Sequence, residues 1–123
     1  MADKRLYVIT CVDDQSCGPA DPPAEPRSGS AKRIGIYAEH KAYQASTADP
    51  DSPNFITKIT AGPMVTDDGK YMVGSSFIVE GTREQVEAFY KNDPFYKAGV
   101  WASITCEQYF SVQGIQARPP SSL

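Results

Sequence analysis

Residues 71–90 read Tyr71-Met72-Val73-Gly74-Ser75-Ser76-Phe77-Ile78-Val79-Glu80-Gly81-Thr82-Arg83-Glu84-Gln85-Val86-Glu87-Ala88-Phe89-Tyr90, a strand that runs directly into a helix. The first half is rich in β-branched and aromatic residues, the composition of a strand over 71–80. Thr82 and Gln85 then form a capping box, and Val86, Phe89 and Tyr90 follow at i, i+3, i+4, so the spacing predicts a helix. Asn92-Asp93-Pro94 stops it. Upstream, Phe55-Ile56-Thr57-Lys58-Ile59-Thr60 is a second strand ending at Ala61-Gly62-Pro63, and Asp67-Asp68-Gly69 supplies the hairpin signal between the two.

The ends of the chain complete the pattern. Leu6-Tyr7-Val8-Ile9-Thr10-Cys11-Val12 is apolar on both alternating faces, as in a strand covered on both sides. Val100 to Tyr109 alternates Val100, Ala102, Ile104 and Cys106 against Trp101, Ser103 and Thr105, a last strand. From Ala31 to Ser46, with Ser30 as cap, Ile34, Tyr37 and Ala38 have helical spacing, although Gly35 costs about 1 kcal/mol relative to Ala. The turn cluster Asp49-Pro50-Asp51-Ser52-Pro53-Asn54 ends that helix. Residues 14–30 hold Pro19, Pro22, Pro23 and Pro26 with Gly18 and Gly29, which excludes helix and ladder, so this is a surface loop, either an inert insertion or a lid that excludes water.

The order β-α-β-β-α-β is that of an α+β, ferredoxin-like antiparallel sheet with both helices on one face. A single domain is expected over 1–113, with the loop 14–30 inserted and 114–123 as a flexible tail. Two helices cover one face of a sheet whose strands are apolar on both, so a homodimer with the sheets face to face is expected.

Composition limits the partners. With 12 Lys+Arg against 15 Asp+Glu the net charge is −3, which offers no basic stripe for nucleic acid. No apolar run is long enough to span a membrane. The residues Met1 to Arg5 carry no long apolar signal region, and the three cysteines, Cys11, Cys17 and Cys106, have neither CxxC spacing nor metal-type clustering. A cytoplasmic protein is expected. One histidine and scattered thiols make a poor zinc site, and the chain lacks P-loop, GxGxxG, HExxH and GxSxG motifs, so neither metal nor nucleotide cofactor is expected.

His40 is the single histidine and the natural candidate for moving a proton near neutral pH. A carboxylate usually orients such an imidazole, and Asp13 and Asp14 end the first strand on the side of the sheet that accepts ligands. Arg33 lies two helical turns before His40 on the same face and suits an anionic substrate group. Ser75 and Ser76, small hydroxyls inside an apolar strand, suit a pocket wall beside Gly74. Gly62 and Asp67 bring backbone and carboxylate groups near that strand. All of these also have plain structural explanations: solvation, turn chemistry or packing.

Five stretches together resemble the YciI-related family of the dimeric α/β-barrel superfamily. They are LYVITCVD with its terminal Asp13, RIGIYAEH with Arg33 and His40, AGPMVTDDGKYMVGSSFIVE, TREQVEAFYKNDPFYKAGV and WASITCEQYF, spanning about residues 5–110. The resemblance implies a ferredoxin-like dimer forming a dimeric α/β barrel, with a pocket holding a His–Asp dyad carried by His40 and Asp13. It also implies cofactor-free isomerisation or elimination on a small cyclic compound. The loop at 14–30 is longer and richer in proline than in the family, and the first helix breaks early at Asp49-Pro50, so the substrate is not inherited. The alternative class is a small-molecule binding or accessory protein that uses the same pocket without chemistry.

Overall fold

The computed structural model of the chain describes residues 3–114. Its elements run β1 (Arg5–Asp13), α1 (Ala31–Ala48), β2 (Thr57–Val65), β3 (Met72–Gly81), α2 (Arg83–Lys91), α3 (Pro94–Lys97) and β4 (Trp101–Tyr109). The four strands form one sheet in the order β2-β3-β1-β4, antiparallel throughout. This is the ferredoxin-like arrangement that the residue pattern predicts, with the single turn of α3 added. Most of the expected tail, residues 115–123, lies outside the described residues.

The apolar alternation of β1 sorts its side chains. Tyr7, Ile9 and Cys11 join Phe77 and Val79 of β3 under the helices, where Val86 and Phe89 of α2 and Phe95 of α3 close the core. Each such side chain taken out of water contributes about 1.5–3 kcal/mol. The capping box of α2 forms in full: the Thr82 hydroxyl accepts from Gln85 N–H and the Gln85 side chain accepts from Thr82 N–H. On the opposite face no layer of the described residues covers the sheet, and Val12 is 46% exposed there. Gly74 allows β1 and β3 to sit close, because a Cβ at that position runs into the Cys11 carbonyl oxygen and the Met64 side chain.

Two strands differ from the sequence expectation. β2 starts later and continues through Ala61-Gly62-Pro63 to Val65, with Pro63 paired to Ser75. Proline is tolerated because β2 is an edge strand and its missing N–H breaks no central ladder. In β4, a register shift beside Asp13 places Trp101 opposite that residue, so Trp101 is buried with Ile104 and Cys106 rather than lying across from them.

The proline-rich loop is anchored at its far end. Ser28 N–H donates to Lys70 O at 2.8 Å and Met72 N–H donates to Ser28 O at 2.8 Å, while Ala20 N–H and Ala31 N–H bond to Gly29 O and Gly18 O. Ser30 then caps α1 by accepting from Arg33 N–H. Among the described residues no helix is long and apolar enough to cross a membrane.

Candidate active site

Helix α1 presents Arg33, Tyr37, His40 and Gln44 on one face, at steps of four and three, and all four line a cavity of about 280 Å³. The floor is β3, with Ser75 and Phe77, and the side is the Gly62-Pro63 segment of β2. The third contribution comes from the turn between α2 and α3. Asp93 is the N-cap of α3, with Pro94 at the first helical position, and its carboxylate is fully buried.

That carboxylate holds the histidine. His40 Nδ1 lies 2.8 Å from Asp93 Oδ1, which also accepts from Phe95 N–H at 2.8 Å, while Oδ2 accepts from the Gln44 amide at 2.8 Å. All three neighbours can donate, which suits an ionised carboxylate and assigns the proton of neutral His40 to Nδ1. Nε2 is the nitrogen left to accept a proton, and among the described residues it has no hydrogen-bond partner. The ring is fixed from the side as well, stacked on Phe95 at 3.8 Å between centroids with an interplanar angle of 3°, and edge-on to Trp101 at 6.5 Å. Its side chain keeps 12% exposure, enough to open onto the cavity.

Asp13 has a different partner from the one the sequence suggests. Its two oxygens accept from Arg33 Nε at 2.7 Å and Arg33 Nη2 at 3.2 Å, a bidentate pair in which both side chains are almost wholly buried. The expectation that Asp13 orients His40 is therefore corrected: the carboxylate bonded to His40 is Asp93. The reason is register, since Asp13 sits under the first turn of α1, where Arg33 lies, and His40 is two turns further along. Asp14 is not the orienting group either, because it accepts from Ser16 N–H at the surface and faces Lys32 at 3.6 Å. Those Ser16 bonds hold the Asp14 carboxyl below its usual range.

Arg33 lines the cavity as expected, yet its charge is already matched. Nη2 also donates to the Ser75 hydroxyl at 2.7 Å, and the guanidinium lies 4.7 Å above the Phe95 ring. Ser75 accepts in addition from Trp101 Nε1 at 3.3 Å. With two donors aimed at its oxygen, the Ser75 proton is free to point at a ligand. Ser76 does not join it. It follows Ser75 in a strand and so faces the opposite side of the sheet, at the level of Thr10. Asp67 is also outside the site, carried away by the longer β2 to the exposed hairpin turn, where Asp68 accepts from Thr66 and Lys70.

Asp93 and Gln44 escaped the sequence reading. Asp-Pro was read as a helix stop, but Asp at N-cap with Pro at N1 equally starts a helix, and that is the signal that places a buried carboxylate here. Gln44 lies four residues after His40, on the same helical face. Nearby groups feel this carboxylate: burial, with the Asp93 charge, pushes the Tyr43 hydroxyl up to about 12. Burial pushes the Cys11 thiol to about 12 as well, Asp93 again adding to the effect. Lys58 is shifted down by burial, its ammonium donating to Thr47 Oγ1 at 2.7 Å. Among the described residues no group of three or more His, Cys, Asp or Glu is arranged to hold a metal ion.

Comparison with known proteins places the fold in a family. The family model of the YCII-related domain matches residues 6–108. Among solved structures, the chain is similar to 5-chloro-2-hydroxyhydroquinone dehydrochlorinase from Burkholderia phenoliruptrix AC1100, determined in complex with 2,5-dihydroxybenzoquinone. The TM-score is 0.60 and the identity 27%, covering 92% of this chain and 99% of that one. No curated protein matches the chain.

Proposed function

Because the chain belongs to the YCII-related domain family, we propose that it is a cofactor-independent lyase or isomerase acting on a small cyclic, enolisable metabolite. The observation that carries this reading is the His40 imidazole, anchored at Nδ1 by a buried carboxylate, unpartnered at Nε2 among the described residues, and lining a cavity of ring size. Nε2 takes a proton from a carbon next to a ring carbonyl, and the C–H electron pair moves into the ring as an enolate. In an elimination that pair then expels a substituent as an anion. In an isomerisation His40 returns the proton to a different carbon. Asp93 offsets the imidazolium charge, and a base positioned in this way contributes typically 10²–10⁴-fold. The Ser75 hydroxyl is the donor for the developing oxyanion, held by the Arg33 Nη2 that donates to it. The similar dehydrochlorinase, whose name describes loss of hydrogen chloride from a hydroxyhydroquinone, supports elimination as the first reaction to try.

The test is solvent deuterium wash-in, followed by proton NMR on a panel of hydroxyquinones and ring ketones, with chloride release from 5-chloro-2-hydroxyhydroquinone measured in parallel. Wild type is expected to exchange or eliminate, and His40→Gln to lose at least 100-fold. Equal rates in the two proteins overturn the reading, and binding without exchange leaves a binding protein in its place.

We further propose that the protein works as a homodimer in the cytoplasm. The uncovered sheet face, with Val8, Val12 and Ile78, supports burial against a second copy, and the free Cys11, Cys17 and Cys106 suit a reducing compartment. Light scattering at micromolar concentration tests the dimer, and a monomeric mass overturns it.

A further inference from the structure

Both carboxylates of the site stand behind its wall. Asp13 is bonded to Arg33 and Asp93 to His40, and neither faces the cavity. The 280 Å³ cavity therefore presents the nitrogen groups of Arg33 and Lys41 as donors and His40 Nε2 as an acceptor, and no Asp or Glu side chain lines it. Lys41 differs from the other two because, among the described residues, no carboxylate pairs with it. Its ammonium rests 5.5 Å from the centre of the Tyr37 ring, itself part of the cavity wall, so the charge is held at the rim by an aromatic face rather than neutralised.

We propose that the substrate enters as an anion, a ring whose acidic hydroxyl is already ionised at neutral pH, and that Lys41 selects it. This rests on the proton-transfer reading above and names its substrate class. A hydroxyl conjugated through the ring to a carbonyl is a vinylogous carboxylic acid, so it is ionised near neutrality and spreads its charge over two oxygens. Removing a carbon-bound proton from such an anion adds a second negative charge to the ring. A wall with an acidic side chain opposes that step, whereas an unmatched ammonium favours it. Arg33 is the less suited selector, since its Nε and Nη2 are committed to Asp13 and Ser75.

The experiment is calorimetric binding of two probes of the same ring size, 2,5-dihydroxybenzoquinone, which is ionised at pH 7.5, and hydroquinone, which is neutral there. Wild type, Lys41→Gln, Lys41→Arg and His40→Gln are compared, with thermal midpoints as a check on folding. Wild type is expected to prefer the ionised probe, and Lys41→Gln to weaken that probe about tenfold while changing the neutral one by less than about twofold. Lys41→Arg is expected to restore the preference. Failure of the wild type to prefer the ionised probe, including failure to bind it, overturns the proposal, as does an equal loss for both probes in Lys41→Gln. Deuterium wash-in separates the two readings: exchange without charge preference removes only this proposal, and charge preference without exchange removes only the catalytic one.

Discussion

His40 Nδ1 and Asp93 Oδ1 meet at 2.8 Å although 53 positions separate the two residues in the chain. The same carboxylate oxygen caps α3 through Phe95 N–H, and the Phe95 ring in turn stacks on the imidazole. One turn of helix thus supplies the imidazole with its carboxylate partner and with the surface against which its ring is fixed. Precision at this site comes from local structure, which is cheap to hold in place because the cap also satisfies an otherwise free N–H of the helix start.

Asp93→Asn isolates the charge from the geometry. The oxygen of Asn is expected to occupy the Oδ1 position, since both Phe95 N–H and His40 Nδ1–H donate there, and the new amide group then faces Gln44, which must turn its own amide over. The imidazole tautomer is retained and only the stabilisation of the imidazolium is lost. Turnover is expected to fall by about 10²–10⁴-fold. Nitrogen-15 shifts of the single imidazole are expected to show a protonated Nδ1 in both proteins, and a change to protonated Nε2 in the variant contradicts this account.

The order of elements was legible because each change of period is sharp: the capping box at Thr82 and the double-faced strand at Leu6–Val12 both stand in the structure. The cavity wall was legible where it depended on one helix face, hence Arg33 and His40. The carboxylate on His40 was not, because strand-end logic and cap logic compete for it, and only the register of α1 over the sheet decides that Asp13 meets Arg33 while Asp93 meets His40. Ser76 and Asp67 failed for a simpler reason: strand alternation turns the first away, and the continuation of β2 through Pro63 carries the second off.

The Arg33–Asp13 pair predicts asymmetric losses. Both groups are buried, so removing one leaves an unmatched charge in the core. Asp13→Ala is expected to destabilise the fold by about 3–5 kcal/mol in urea titrations, and the double variant Asp13→Leu with Arg33→Met by less than Asp13→Ala alone. A double variant as unstable as the sum of the two single ones contradicts a coupled pair.

Alkaline pH is expected to weaken the fold through Cys11. Burial moves its thiol from 9.0 to about 12, so the folded protein keeps a proton that the unfolded chain releases. That contribution is complete below the unfolded value of 9.0 and is lost as pH rises toward about 12. Urea midpoints are expected to drop between pH 8 and 10, and Cys11→Ala, though less stable at pH 8, is expected to show a flatter slope. Above pH 10 Tyr43, moved from 10.0 to about 12, maintains a downward trend in both proteins. Midpoints that rise with pH reverse the sign and contradict the assignment.

The anchoring of the proline-rich loop predicts a wall rather than a swinging lid. Its far end pairs with the start of β3 through Ser28 and Met72, and its Glu25, Pro26 and Arg27 line, with Tyr37, Pro63 and Met72, a second chamber of about 250 Å³ beside the His40 cavity. The shared residues Tyr37, Pro63 and Met72 make the two spaces neighbours, so the loop is expected to limit the size of a substituent on a ring bound in the His40 cavity. A wall predicts that the amide protons of Ser28 and Met72 exchange on the slow timescale of strands β1 and β3, and that a ring-sized ligand leaves their rates unchanged. A lid predicts fast exchange in the free protein and protection on binding. Hydrogen-exchange mass spectrometry of residues 18–31, with and without 2,5-dihydroxybenzoquinone, separates the two, and ligand-induced protection there contradicts the wall.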